Sequence, residues 1–409
     1  MRYSPASQDN YINFTGYSPK ENKRRNFMDF NPCMKHQVVR KTVREFAENE
    51  IGPHAGNLDR EGRFPAEIVE KMGLLNYFGL QVPPSLGGAG LDTISYAIVI
   101  EELSRVCAAL GLCVSVHNSV GLYPILRFGT DEQIARFVPD MASGKHIGAF
   151  CLTEANAGSD AGGVETTAAK TDEGYTINGT KIFVTNGGVC DVVLVFALDT
   201  GSQGPSRPNV FIVEKTRPGF SVGEIEDLCG MRANPVSSLF FEDCRIPETN
   251  LLGKPGQGLK IGLTALDTGR IGIAAQALGI AQAAFEAALS YAKERRQFNS
   301  PLTKFQTIQN YLADMATSIE SSRLLLYRAA AAKDKGEDFG AQSAMAKLSC
   351  SETARTVTDL AVQIHGGYGY SREYDVERYF REAKVTQIYE GTSEVQKMVI
   401  ARHLITQPS

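Results

Sequence analysis

Glu390 stands between an apolar-aromatic stretch, Gln387-Ile388-Tyr389, and a glycine break at Gly391-Thr392. A carboxylate there is either solvated at a helix end or held in a dry pocket. Only the second would raise its pKa into the range useful for a general base. The residue types alone do not choose. Thr153-Glu154-Ala155-Asn156-Ala157-Gly158-Ser159-Asp160 combines small residues, hydroxyls and successive backbone N–H groups. It suits an anion or a heteroaromatic edge as well as it suits an ordinary turn. In residues 181–187, Phe183 and Thr185 alternate onto one strand face, which sets an aromatic plane beside a hydroxyl; a core strand reads the same way. Glu294-Arg295-Arg296-Gln297-Phe298 closes a helical pattern. Cations there are normal at a helix C-terminus, and arginine also suits a pyrophosphate. Gln363-Ile364-His365-Gly366-Gly367 is a further polar island.

The elements that must position these residues change character twice. From about residue 34 to 145 the pattern is helical, with Val39, Val43 and Phe46 recurring on one face. Residues 83–90, rich in proline and glycine, interrupt it as a connector or as a loop lining a cleft. Short runs of β-formers follow: Tyr175-Thr176-Ile177, residues 181–185, 191–196 and 209–213, then Leu239-Phe240-Phe241. Asn178-Gly179 and Asn186-Gly187 beside them are hairpin signals. This stretch reads as an antiparallel β domain, a sandwich or a barrel. Past Gly258 the helical period returns through Leu278, Ala281, Phe285, Ala288 and Ala292 and runs to about residue 404. The order helical, β, helical makes the fold α+β, with a helical bundle at the C-terminal end.

Composition excludes several classes. The chain has 409 residues and a net charge of −4, so it has no basic surplus for nucleic acid. No apolar run approaches the ~20 residues that span a bilayer, and the N-terminus has no apolar signal region. Residues 1–27 are polar, with a basic stretch at 20–25. They read as a disordered extension, with a transit peptide as the alternative that Asp9 and Glu21 weaken. The eight cysteines form no C-x-x-C pair and suit a reduced, cytoplasmic protein with packed thiols. The six histidines show no metal spacing, so no metal is expected. No dinucleotide fingerprint, nucleophile elbow or P-loop occurs.

Taken together and in this order, residues 152–160, 181–187, Asp267-Thr268-Gly269-Arg270, 294–298, 363–369 and 387–396 resemble the acyl-CoA dehydrogenase family. The resemblance spans about residues 28–404 and is greatest to bacterial butyryl-CoA (short-chain) members. The polar extension at 1–27 falls outside it; the resemblance implies an N-terminal helical domain at 28–146, a middle β domain at 147–257 and a C-terminal four-helix bundle at 258–409. FAD would lie between the β domain and the bundle. Phe150, Leu152, Thr153, Gly158 and Ser159 would line the flavin and thioester side, with Phe183 and Thr185 against the isoalloxazine. Many relatives have Trp at the position of Phe183; Phe still stacks but lacks the indole N–H. Arg295, Gln297, Phe298, Gln306, Gln363, Ile364, Gly366 and Gly367 would reach the FAD of a neighbouring subunit, in a homotetramer built as a dimer of dimers. Thr392 and Glu394 would lie near the adenosine half of the subunit's own FAD. Asp267 and Arg270, with Ser159, Tyr389 and Gly391, would face the substrate.

Glu390 matches the family's catalytic base. A subset of relatives carries the base just before the arginine of the Asp-x-x-Arg segment. Here that residue is Gly269, which cannot serve. The resemblance implies that Glu390 takes the α-proton of an acyl-CoA while the β-hydrogen leaves as hydride to flavin N5. Electrons would pass to an electron-transferring flavoprotein, in the bacterial cytoplasm or, for a eukaryotic protein, the mitochondrial matrix. The reverse reaction, reduction of an enoyl-CoA, uses the same residues. An acyl-CoA oxidase would carry a further C-terminal domain that this chain lacks. A flavin-bound assembly protein would have no need of Glu390. Straight short-chain acyl-CoA ranks first as substrate, with branched or cyclic acids next.

Overall fold

The computed structural model describes residues 33–201 and 207–406; the polar extension at 1–27 lies outside the described residues. Seven helices come first: α1 (Met34–Phe46), α2 (Gly52–Glu61), α3 (Ala66–Leu74), α4 (Thr93–Val106), α5 (Ala108–Val116), α6 (Tyr123–Phe128) and α7 (Asp131–Ala142). On α1, Val43 is buried, and Val39 and Phe46 pack on the same cluster, as their spacing requires. The loop at 83–90 folds onto its own backbone. Ala89 N–H donates to Gly79 O at 2.9 Å, and a Cβ on Gly88 would stand 2.3 Å from Val82 O. The close approach there is to the chain itself, as in a connector.

The eight strands β1 (Gly148–Cys151), β2 (Thr167–Thr171), β3 (Gly174–Thr185), β4 (Val192–Asp199), β5 (Pro208–Glu214), β6 (Phe220–Ile225), β7 (Val236–Pro247) and β8 (Leu251–Leu252) form one sheet. Its order is β6-β7-β3-β2-β4-β5-β8, with β1 also paired to β4. The sheet is not antiparallel throughout: β1 and β2 both pair with β4 in parallel. The long excursion between β1 and β4 supplies the crossover that parallel pairing needs. Neither Asn-Gly pair makes a hairpin. Asn178-Gly179 lies inside β3 at a bulge, where Asn178 Oδ1 accepts from Asp243 N–H at 2.7 Å. Asn186-Gly187 turns the chain after β3, but β3 and β4 are not neighbours. The β2–β3 hairpin turns at Asp172-Glu173 instead.

The last region holds three long helices, α8 (Gly258–Glu294), α9 (Gln306–Asp334) and α10 (Gly340–His365), and two shorter ones, α11 (Val376–Val385) and α12 (Ser393–Thr406). A two-stranded ribbon, β9 (Arg296–Gln297) and β10 (Ser300–Pro301), links α8 to α9. The helical region from α5 to α6 and α8 are each long and apolar enough to cross a bilayer by length and composition, contrary to the expectation from runs of apolar residues. Both are mostly buried inside the protein, and their alanines and leucines pack in the core.

A buried ion network ties the first helices to the last. Glu101, on α4, accepts from Arg40 of α1 at 2.9 Å and from Arg323 of α9 at 3.1 Å. Glu102 beside it accepts from Arg44 at 2.9 Å and from Arg105 at 3.2 Å. Burial alone would raise the Glu101 pKa, but Arg40 and Arg323 hold it below the usual range. Removing one partner of such a network leaves the others charged, buried and unpaired. Glu101→Ala is expected to lower unfolding stability by about 3 kcal/mol or more. Urea titration of the two proteins checks this; a loss within the range of a surface substitution counts against it.

Candidate active site

Glu390 sits in the turn between α11 and α12 with a left-handed backbone, φ +51°, followed by Gly391 at φ +92°. That pair of angles is costly for a side chain at the first position and favours glycine at the second. The turn drives the Glu390 carboxylate inward, against α8. Both carboxylate oxygens are shut off from solvent and have no hydrogen-bond partner among the described residues. Gly269 makes the room: a Cβ there would stand 2.0 Å from Glu390 Oε2. Burial pushes the Glu390 pKa up to about 7, against the opposing pull of Lys347 and Arg270. Glu390 is thus the dry carboxylate of the two alternatives, titrating where a general base works.

Several groups hold this turn. Lys347 of α10 is completely buried and donates to Gly391 O at 2.7 Å. Gln396 of α12 donates to the same oxygen at 2.8 Å and to Glu390 O at 3.2 Å. The Tyr389 hydroxyl donates to Gln276 of α8. On α8, Arg270 donates to Asp267 at 2.5 Å, while Arg270 Nε and the Thr268 hydroxyl are buried without a partner among the described residues. Burial raises the Asp267 pKa, and Arg270 opposes it. Thr392 accepts from Val395 N–H at 3.3 Å at the start of α12, with Glu394 exposed in its first turn.

The loop after β1 carries exposed Gly158 and Ser159. It is pinned from below by Glu154, which receives the buried ammonium of Lys181 at 2.5 Å and the Thr166 hydroxyl at 2.6 Å. Leu152 is buried and Phe150 packs edge-on to Phe196 at 4.8 Å. The simple alternation expected of Phe183 and Thr185 is broken. A bulge lies between Lys181 and Val184, and Phe183 has φ +51° and is 58% exposed. Its ring is turned out from the sheet at an energetic cost that core packing does not repay.

A third group lies at the far end of α8. Arg295, Gln297, Ile364, Gly366 and Gly367 line one open concavity of about 580 Å³, with Tyr291, His365 and Tyr368. His365 stacks on Tyr291 at 4.2 Å, and Arg295 lies 5.5 Å over the Tyr368 ring. Phe298 is at the tip of the β9–β10 ribbon, 91% exposed, with φ +49°. Gln306 and Gln363 are exposed nearby in the chain. Gly269 and Arg295 are separated by about 39 Å along α8, at 1.5 Å per residue. The concavity therefore does not include Glu390, and one chain brings the expected residues together in separate groups.

Three family models match in sequence order: the N-terminal domain of acyl-CoA dehydrogenase over residues 34–145, its middle domain over 149–244 and its C-terminal domain over 256–405. The chain belongs to the acyl-CoA dehydrogenase family. It is 49% identical to an acyl-CoA dehydrogenase of Bacillus subtilis (strain 168), over 90% of this chain and 97% of that one. It is 45% identical to an acryloyl-CoA reductase (NADH) of Anaerotignum propionicum, over 94% and 98%. Butyryl-CoA dehydrogenase from Megasphaera elsdenii superposes with a TM-score of 0.90 at 44% identity, covering 92% of this chain and all of that one. A chain in a structure of the electron transferring flavoprotein of Acidaminococcus fermentans, studied for flavin-based electron bifurcation, gives 0.91 at 46%, covering 93% and 100%.

Within this family member, Lys347 and Gln276 were not singled out by the sequence, and Glu154 was quoted only as part of its loop, without a role. Lys347 sits in an alanine-rich helical run where a lysine reads as solvated. The signal that was available is its spacing of three and four residues from Ser343, Ala344, Cys350 and Ser351, small residues on one helix face, all of them buried. Lys347 lowers the Glu390 pKa by its charge. In Lys347→Met, loss of that charge is expected to move the titration of Glu390 upward by about one unit. Infrared titration of the carboxyl stretch, with Glu390→Gln as the blank, reads it directly. A Glu390 signal at the same pH in both proteins would remove Lys347 from this role.

Proposed function

We propose that this chain is an FAD-dependent dehydrogenase of short-chain acyl-CoA, with Glu390 as the base that takes the α-proton. The single observation that carries this reading is the unpartnered, buried carboxylate facing the bare backbone of Gly269. A carboxylate kept dry and unpaired costs folding energy that only a substrate proton repays. Burial also keeps it weakly acidic enough to accept that proton near neutral pH.

The residues fit the flavin. A Cβ on Gly158, Gly366 or Gly367 would meet nothing within 4 Å, so the backbone there lies open to a ligand. Phe183 offers an unburied ring, and Arg270 Nε and Thr268 Oγ1 are buried donors without partners among the described residues. Thr153, Gly158, Ser159, Phe183 and Thr185 would hold the isoalloxazine side. Arg295, Gln297, Phe298, Gln306 and residues 363–367 would hold the FAD of a second subunit, and Thr392 and Glu394 the adenosine half of the chain's own. When bound, the flavin supplies the acceptor for the hydride that leaves Cβ. The backbone N–H of Glu390 would donate to the thioester oxygen as charge grows there, and the turn fixed by Lys347 and Gln396 would aim both groups at once.

The distance between Glu390 and the Arg295 concavity supports an oligomer, and we assign a homotetramer, in which each concavity serves a neighbour. Exposed Phe298 and Tyr370, the latter 90% exposed, suit a covered surface. Eight free cysteines suit a reducing compartment, a bacterial cytoplasm or a mitochondrial matrix; Cys33 and Cys229 are exposed rather than packed. The pathway would be β-oxidation of fatty acids, with an electron-transferring flavoprotein as acceptor. The similarity to an acryloyl-CoA reductase favours a second reading, in which the same residues reduce an enoyl-CoA.

Anaerobic addition of butyryl-CoA to the FAD-loaded protein is expected to bleach the flavin, and Glu390→Gln is expected to keep FAD while losing at least about a thousandfold in bleaching rate. Rapid bleaching in the variant refutes the role. The same substitution reports on burial. The folded-state pKa lies above the ordinary glutamate value of 4.5, at about 7, so stability falls as pH rises between those values and stays lower above them. At pH 8 the variant is expected to be more stable than the parent by about 1–2 kcal/mol, less than the full shift because the glutamine amide is also left unpaired. Below pH 4.5 the difference should vanish, which thermal melts at the two pH values check.

A further inference from the structure

The face of α8 that meets Glu390 continues onto residues with no part in the proton transfer. Tyr96 of α4 is wholly buried. Its hydroxyl lies 3.1 Å from Ser115 Oγ and 3.4 Å from Ser115 O, both on α5. This pair presses on α8 at one point. A Cβ on Gly272 would stand 2.1 Å from Ser115 Oγ and 2.3 Å from the Tyr96 hydroxyl. Gly269, where Glu390 rests, is three residues earlier on the same helix, which puts both contacts on one face about 4.5 Å apart along the axis. The Tyr96 phenol is close enough to feel the Glu390 charge, and burial raises its pKa beyond any working pH, so it stays neutral.

Along α8 the order from the partly exposed end inward is fixed. Asp267 comes first, then Glu390 at Gly269, with Arg270 directly after it. Tyr96 with Ser115 follows at Gly272, then the Tyr389–Gln276 hydrogen bond one turn on. Gln276 also donates to Ala108 O at 2.9 Å, which seals α8 against the start of α5. Resting on the assignment of Glu390 to the acyl Cα, we propose that Tyr96, braced by Ser115 against Gly272, is the floor of the acyl pocket and limits the substrate to acyl chains of a few carbons. Glu390 and Tyr96 meet α8 on one face only three residues apart, so an acyl chain whose Cα lies at Glu390 and which runs along that face reaches Tyr96 within a few carbons. The ring blocks longer chains by volume. Its hydroxyl is satisfied by Ser115 and adds no polar demand, so the limit is steric.

The experiment compares butyryl-, hexanoyl- and octanoyl-CoA in anaerobic bleaching of the wild-type holoenzyme, Tyr96→Ala and Tyr96→Leu, with FAD content and melting temperature measured for each. Wild type is expected to prefer butyryl- over octanoyl-CoA by at least about a hundredfold in kcat/KM, and the two variants to raise the octanoyl-to-butyryl ratio by about tenfold or more. Wild-type turnover of octanoyl-CoA comparable to butyryl-CoA overturns the proposal without recourse to a variant. So does an unchanged ratio in whichever variant retains FAD. A wild-type protein that no acyl-CoA bleaches is a different failure: it removes the dehydrogenase reading itself.

Discussion

One arrangement governs the rest: a carboxylate without a hydrogen bond, buried against a stretch of helix that has no side chain to offer it. A buried, unpaired acid is among the more expensive things a fold can carry. It survives here because the surrounding structure fixes it from several directions. α8 supplies a bare backbone at Gly269, Gln396 and Lys347 anchor the carbonyl of Gly391, and Tyr389 is tethered to Gln276. The left-handed angles at Glu390 and Gly391 are the local cost of aiming the side chain inward. Relaxing any one tether lets the turn swing toward solvent, where the carboxylate would be hydrated and acidic.

Charge is distributed with the same logic. Lys347 is itself wholly buried, and burial lowers its pKa to about 8 against the pull of Glu390. Its ammonium is spent on a carbonyl, not on the carboxylate. A direct Lys347–Glu390 salt bridge would have held Glu390 ionised and strongly acidic. Placing the cation one residue away tempers the desolvation without cancelling it. The contrast with Glu101 is instructive. That glutamate is just as buried, but two arginines hold its pKa low. It can only be structural, whereas Glu390 remains free to exchange a proton.

The order of helical and β regions was legible because the 3.6 period survives in long helices such as α8 and because β4 is a continuous run of β-forming residues, buried from Val192 to Ala197. Glu390 and the concavity residues were legible because they fall at or beside breaks between elements, whereas Gly269, inside α8, was legible only through the family's Asp-x-x-Arg segment. The sheet's parallel pairings were not, since pairing partners are set by a crossover that no local pattern records. The Asn-Gly pairs misled for a related reason. Asn178 meets a hydrogen bond from Asp243 across the sheet, so a bulge competes with the turn its dipeptide favours. Phe183 lost its strand alternation to a second bulge. Lys347, and Tyr96 in the role proposed for it, escaped notice because both depend on helices far apart in sequence packing together.

The separation of the three residue groups has a consequence for how such a protein is held together. The Glu390 pocket and the Arg295 concavity are too far apart along α8 to grip one cofactor from one chain. A subunit that contributes Phe298 at the tip of a ribbon, with a strained backbone and an almost fully exposed ring, is offering a contact that it cannot use alone. If a neighbour's FAD fills the concavity, cofactor binding and assembly share one free energy: each bound FAD raises the apparent stability of the oligomer, and each assembled interface tightens the FAD. The strain at Phe298 is then sustained by association, in the same way that the strain at Glu390 is sustained by packing inside the chain. In that arrangement Phe298 would be an unfavourable residue made favourable by association, whereas the Glu390 turn is already held by Lys347, Gln396 and Gln276 within the chain.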